Sequence, residues 1–317
     1  MSESRSPELS TRVPPVYLVD RVTPMGDAPE ATRLESFRLS GERSLAELER
    51  ALAACDRPLG QFSNLLDWGC GPGRVTLRII DKYPGLRVTG IDTDRGSVAW
   101  LNGAVPECTF IEIDPMPPTA LADEAFDIVV NHSVLTHIDY EPQRAWMAEM
   151  ARVLRPNGIF VTSVHGVRAF VQSLREVENG FTDSNPWIAA WKANRFVFVS
   201  EDTFAGSSHH DGYHTTFQDA AGLEAIGNFE FEPLAVLHAG DLGFQDLIVL
   251  RRRTPEEVIE RRALEPAADY VPVAASAADD DSRLARLERV SLMATLSLNQ
   301  LGRQIARLEE AFDSNAG

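Results

Sequence analysis

The chain has 317 residues, 44% hydrophobic and 24% charged, which fits one large α/β domain plus an appendage. Its net charge of -17 argues against a nucleic-acid backbone as the main partner, since phosphate binding needs a basic face. The three cysteines, Cys55, Cys70 and Cys108, are odd in number and form no C-x-x-C pair, which disfavours a disulfide framework or a zinc site and favours a reducing compartment.

Residues 1–30 are polar and proline-spotted and are expected to be loose. They hold no apolar core for a signal peptide, and no run of about 18 apolar residues occurs along the chain. A cytoplasmic protein without a transmembrane segment is expected. Residues 31–57 turn helical, with Ser44 and Glu47 spaced as a capping box ahead of "LERALAAC". Five strand-like runs follow, "NLLDW", "RVTGID", "CTFIEID", "FDIVVN" and "GIFVTSV", with helical text between most of them. That alternation predicts a parallel sheet with helices on both faces. Two further runs, "PLAVLHA" and "DLIVL", are joined by a turn too short for a right-handed crossover, so this last pair is predicted to be antiparallel. The expected fold is a Rossmann-like, seven-stranded, mostly parallel sheet with an antiparallel last strand. The expected boundaries are a main α/β domain over 31–253, a linker over 254–282 and a terminal helix over 283–313.

The first strand runs into "DWGCGPGR", where Gly69, Gly71 and Gly73 alternate around Cys70 after Asp67. A strand, a glycine-dense turn and a helix suit an adenosine-containing ligand, because missing Cβ atoms let the backbone approach it. A dinucleotide fingerprint from Gly69 needs glycine where Arg74 stands, which argues against a nicotinamide-dependent oxidoreductase. Asp92 ends the second strand beside Thr93, where an acid can accept from both ribose hydroxyls; the plainer alternative is that "DTD" caps the next helix. Asp114, followed by Pro115 and Met116, can accept from an adenine amino group while the methionine packs on the ring, or can simply make a turn.

These pieces, with "IDPMPP…FDIVVNHSVLTHI" and "RVLRPNGIFV" after them, together resemble the class I S-adenosylmethionine-dependent methyltransferases from about Leu65 to Arg252. The resemblance implies S-adenosyl-L-methionine as cofactor. It implies that Asp67 and the carbonyl near Asn131, next to His132, hold the methionine ammonium and that Asp92 holds the ribose. More loosely, "SVLTHI", "TSVHG", "NGF" at 179–181, "YH" at 213–214 and "QDLIVL" are similar to methyltransferases of polysaccharide and glycoconjugate modification. That likeness implies a sugar or similar small metabolite as acceptor.

Methyl transfer is an in-line displacement, in which the protein chiefly fixes distance and alignment. A hydroxyl acceptor keeps its proton at neutral pH and calls for a general base, for which histidine is the default. An uncharged amine needs none. Of the seven histidines, all but His238 are expected at the active end of the sheet or in the insertion after it. His137 is the first candidate, and its placement resembles the catalytic histidine of plant small-molecule O-methyltransferases; a structural role near a helix start is the alternative. His132, His165 and His214 stand behind it. His209, His210, Asp211 and His214 lie close enough together to bind a divalent metal, but a flexible substrate loop is the preferred reading and no metal is expected. The insertion 166–231 is aromatic-rich and long enough for a cap. Trp187 and Trp191, with His210 and Tyr213, are the candidate substrate contacts, although such aromatics also make an insertion's own core.

Beyond "ADDDS", Leu284, Leu287, Leu298, Leu301, Ile305 and Leu308 follow a heptad seam, weakened at Ser291 and Ala294. It reads as an oligomerisation helix or a docking helix for a partner protein, with an amphipathic helix folded on its own domain as the plainer alternative. The leading functional expectation is therefore an O-methyltransferase of a sugar hydroxyl. The alternatives are an N-methyltransferase of an amino sugar and a non-catalytic scaffold acting through its C-terminal helix.

Overall fold

The computed structural model describes residues 12–23, 25–179, 185–199 and 214–264. In chain order these form α1 (Val16–Val22), α2 (Glu30–Ala53), β1 (Asn64–Trp68), α3 (Thr76–Lys82), β2 (Arg87–Asp92), α4 (Arg95–Ala104) and β3 (Thr109–Glu112). Then come β4 (Phe126–Asn131), α5 (Tyr140–Val153), β5 (Leu154–Val164), α6 (Val167–Asn179), α7 (Asn185–Asn194) and β6 (Phe196–Val199). The described residues end with β7 (Thr215–Gln218), α8 (Ala220–Ile226), β8 (Phe231–Asp241), β9 (Gln245–Arg252) and α9 (Pro255–Leu264).

Seven strands make one sheet in the order β3-β2-β1-β4-β5-β9-β8. The first five are parallel, and β9 runs antiparallel to both β5 and β8. The expected sheet is thus the observed one. Every residue of β4 is buried, as a strand covered on both faces requires. One face packs Leu48, Leu52, Leu77 and Ile79 of α2 and α3 against Leu65, Ile128 and Ile159. The other packs Trp146, Met147 and Met150 of α5 against Leu66, Val129 and Phe160, with Trp68 stacked on Trp146 at 4.8 Å between centroids.

Three expectations are corrected. The segment 1–30 is not uniformly loose, because α1 lies within it with Leu18 and Val19 fully buried. Ser44 and Glu47 do not start a helix. They lie inside α2, where Ser44 Oγ donates to Asp241 and Glu47 accepts from the Leu242 amide. The stretch read as a linker opens with α9, whose Val258 is buried. The heptad region 283–313 lies outside the described residues.

The insertion adds α6, α7 and a two-stranded sheet, β6 antiparallel to β7. This small sheet is tied to the main one, since His165 bridges Phe217 and the Gln218 amide donates to the His165 carbonyl.

Candidate active site

In parallel sheets the ligand crevice lies outside the carboxyl ends of the strands. Here β1 leads into the turn over 69–73, where Gly69, Gly71 and Gly73 all have positive φ. The need for glycine is clearest at Gly69: its φ is +79°, and a Cβ there would stand 2.2 Å from Val134 Cγ2. The Gly69 amide donates to the Ile91 carbonyl at 2.8 Å, and the Cys70 amide shares that carbonyl. The turn is therefore clamped to the end of β2.

Two acids bracket it. Asp67 is 3% exposed and accepts the Thr76 hydroxyl at 2.5 Å. Burial, with a smaller push from Asp92, raises its pKa to about 6 against the opposing effects of Thr76 and Arg74. Asp92 accepts from the Gly71 amide and the Asp94 amide, each at 2.7 Å. Its carboxyl is also held above the usual range, chiefly by burial, with those amides opposing. Capping of α4 falls to Asp94, which accepts from the Gly96 amide and the Ser97 hydroxyl. Asp92 is thus not the cap of that helix. Arg21 of α1 pairs with Asp94, and Val22 lies against Gly71, so α1 borders this crevice.

The remaining candidates for the cofactor fall as follows. The Asn131 side chain is committed, donating to the Trp68 carbonyl at 3.1 Å and accepting from Thr162 at 3.0 Å. Only its backbone remains for a ligand. Cys70 is buried, and burial pushes its thiol well above the ordinary range, so it is a packing residue within the turn. Thr93, Asp114, Pro115 and Met116 are exposed, and the Pro115 carbonyl accepts from Trp146. One buried and one half-buried carboxylate with raised pKa values, beside a close-approach backbone, suit a ligand with one cationic end and one diol. S-adenosylmethionine is such a ligand, and the residues present fit it.

Three histidines from separate segments meet nearby. His137 Nδ1 donates to the His214 carbonyl at 2.8 Å. Because a carbonyl only accepts, the neutral His137 ring carries its lone pair on Nε2. The His165 ring stands edge-on to His137 at 6.3 Å. Burial, helped by the His137 charge, lowers the His165 pKa to about 3. The His214 ring packs on Phe198 at 5.0 Å. His132 is apart from this group, its ring nitrogens buried near Asp241 and Arg74.

Trp187 and Trp191 are not presented as stacking faces. They are 4% and 1% exposed, and Trp191 stacks on Phe170 in the insertion's own core. His209, His210, Asp211 and Tyr213 lie outside the described residues. Among the described residues, no group of three His, Cys, Asp or Glu is placed to hold a metal ion, and no helix is long and apolar enough to cross a membrane.

His238 was expected away from the active end and is in fact there. Its Nδ1 bonds Asp246 Oδ2 at 2.8 Å, and Asp246 pairs with Val164 at the end of β5. Asp241, Gln245 and Asp246 were missed altogether. The signal lay in the expected hairpin: a strand antiparallel to β5 must begin where β5 ends, so the "GDLGFQD" turn belongs at the crevice.

The fold and this crevice define a domain that receives an adenosine-containing ligand at the carboxyl ends of parallel strands. Residues 66–162 match the family described as "Methyltransferase domain". Among curated relatives, trans-aconitate 2-methyltransferase of Enterobacter sp. (strain 638) is 30% identical over 122 residues, or 38% of this chain and 45% of that protein. The enzyme of the same name from Escherichia coli (strain K12 / DH10B) is 36% identical over 78 residues, 25% of this chain and 30% of that one. The chain therefore spans less than half the length of these relatives. Among solved structures, magnesium protoporphyrin IX methyltransferase (ChlM) from Synechocystis PCC 6803 with bound SAH is 16% identical at a TM-score of 0.48, covering 73% of this chain and 91% of that one. N-methyltransferase NodS from Bradyrhizobium japonicum WM9, in complex with S-adenosyl-L-homocysteine, is 18% identical at a TM-score of 0.45, covering 75% and 98%.

Proposed function

We propose that this protein is an S-adenosylmethionine-dependent O-methyltransferase acting on a hydroxyl of a sugar, a glycoconjugate or a similar small metabolite. The observation that carries the reading is the pair of acids, buried Asp67 and half-buried Asp92, fixed on either side of the glycine turn. When bound, the cofactor supplies an electrophilic methyl on a sulfonium. Asp67 and the backbone at Asn131 take the ammonium end, Asp92 takes the ribose diol, and Asp114 with Met116 borders the adenine.

On the acceptor side, the His214 carbonyl holds His137 in the tautomer that accepts at Nε2. His137 takes the hydroxyl proton as the oxygen attacks. Burial keeps His165 neutral, so the proton arriving on His137 meets no second positive charge. His132 and His214 complete the surroundings, and His210 and Tyr213 are proposed to reach the acceptor from the insertion. Residues 283–313 are proposed to self-associate or to dock a partner protein.

The test is calorimetric titration of the full chain with S-adenosylhomocysteine, alongside Asp92→Ala. Micromolar binding that the substitution removes supports the cofactor site. It is followed by transfer of labelled methyl from S-adenosylmethionine to hydroxyl acceptors. Absence of binding by the native protein refutes the reading.

A further inference from the structure

Under α2, the polar groups at the ends of β4, β8 and β9 satisfy one another with three exceptions. Ser133 and Gln245 bond side chain to side chain, and the Ser133 amide donates to Ser163 Oγ at 2.7 Å. Arg74 donates to the Ser40 carbonyl and to Ser44 Oγ, and Ser44 in turn donates to Asp241 Oδ1 at 2.7 Å. What remains is Asp241 Oδ2 together with both ring nitrogens of His132, all shielded from solvent and without a partner among the described residues. Asp241 itself is 1% exposed. Ser133, next to His132, bonds Gln245, and Gln245 pairs with Asp241 across the hairpin, so these unmet atoms belong to one neighbourhood; buried polar atoms left unmet are costly and mark the place of a partner.

We infer that His132 and Asp241 form a second polar subsite, beneath α2, that receives a non-reacting hydroxyl of the acceptor. The chemistry of the unmet atoms selects the ligand. A carboxylate oxygen only accepts, while a neutral imidazole offers one donor and one acceptor. Burial disfavours the charged form of His132, which keeps it neutral. A hydroxyl donates to Asp241 and accepts from the imidazole N–H, and a second hydroxyl donor meets the remaining ring nitrogen. A ligand carboxylate would face Asp241 and be repelled; an ammonium would leave the imidazole N–H unmet; an alkyl group would meet neither.

His132 follows the Asn131 backbone that the cofactor reading places at the methionine, so the chamber adjoins the transfer site. The reacting oxygen belongs to His137. An acceptor engaging both places therefore carries at least two hydroxyls, which makes it a polyol or sugar rather than a tricarboxylate. This inference rests on the cofactor reading proposed above.

The test uses the full chain, labelled with ¹⁵N-histidine and saturated with S-adenosylhomocysteine, with His132 assigned through His132→Gln. The probes are myo-inositol, methyl α-D-glucopyranoside and trans-aconitate, each read by the His132 ring signals and by calorimetry. A polyol is expected to move those signals and trans-aconitate to leave them in place. Asp241→Asn should weaken that polyol by roughly tenfold or more, as loss of a hydrogen bond to a charged group implies. Ser44→Ala, which leaves Oδ2 untouched, should weaken it less than about threefold. S-adenosylhomocysteine affinity should match the native protein in both variants, while Ser44→Ala melts lower through loss of its buried bond to Asp241. Movement of His132 by trans-aconitate alone overturns the inference, as does polyol binding with His132 silent. Silence with every probe overturns it too and assigns the chamber to ordered water. Failure of the native protein to bind S-adenosylhomocysteine overturns the cofactor reading itself, a result seen before any acceptor is added.

Discussion

Thr76→Val isolates what holds Asp67 ready for a cation. Valine keeps the shape of this fully buried side chain and deletes the hydroxyl that Asp67 accepts at 2.5 Å. A hydrogen bond to an ionised group is worth roughly 1.5–3 kcal/mol, and about 1.4 kcal/mol corresponds to one pKa unit. The Asp67 carboxyl, already raised to about 6, should therefore move to about 7 or above. If the ammonium of S-adenosylhomocysteine binds only the ionised form, acid weakens binding through protonation of Asp67. Near pH 5 the penalty is about tenfold in the native protein and about a hundredfold in the variant; near pH 8 both nearly vanish. Calorimetry across this range, in two buffers of different ionisation enthalpy, reads both the affinity and the protons released. The two curves should separate below about pH 7 and converge above it. Parallel curves, or affinity independent of pH in both proteins, would refute the reasoning. The same shift acts on folding with a definite sign. A native pKa above the unfolded one means the native state holds the proton more tightly, so stability is lost as pH rises from about 4 to about 6. Bound ligand should restore it at neutral pH.

Gly69→Ala should abolish S-adenosylhomocysteine binding and lower the melting temperature, since it meets both a φ of +79° and Val134 at 2.2 Å; Val134→Ala in the same chain should recover only part of the loss, because the backbone strain remains. His137→Gln should leave S-adenosylhomocysteine affinity intact and lower turnover on a hydroxyl acceptor by about 10²–10⁴-fold, whereas unchanged turnover would remove His137 from the role of base. Trp191→Ala should destabilise the insertion by about 3–5 kcal/mol in denaturant unfolding while sparing cofactor affinity. A loss confined to acceptor KM without loss of stability would return Trp191 to the substrate face.

The features legible in the sequence were those written in contiguous residues. β1, the glycine turn and the acid closing β2 are each local patterns, and the hairpin of β8 and β9 followed from the shortness of its connection. What was misread depends on distant partners. Ser44 and Glu47 have the spacing of a helix start, but they serve Asp241 and Leu242 almost two hundred residues away, and tertiary packing runs α2 straight through them. The short strands β6 and β7 gave too few residues for a period-2 signal, and β7 draws its bonds from the ends of other segments. Aromatic residues in the insertion could have faced either way, and burial decided for Trp187 and Trp191. Asp241 and Asp246 looked like ordinary turn residues because their sequence neighbours say nothing about which end of the sheet the turn reaches.

The attachment of β7 has an evolutionary consequence. Its Thr216 amide bonds the Thr136 carbonyl, its Gln218 amide bonds the His165 carbonyl, and the His214 carbonyl just before it orients His137. His137, the proposed general base, is thus aimed by a cassette whose described residues make no hydrogen bond to the glycine turn or its two acids. Exchange of that cassette between related chains would re-aim the imidazole and reshape the acceptor chamber while leaving the methyl donor's half of the crevice unaltered. Acceptor preference in such proteins is then free to diverge faster than donor use, and ancestry read from the turn alone would carry little news of what is being methylated.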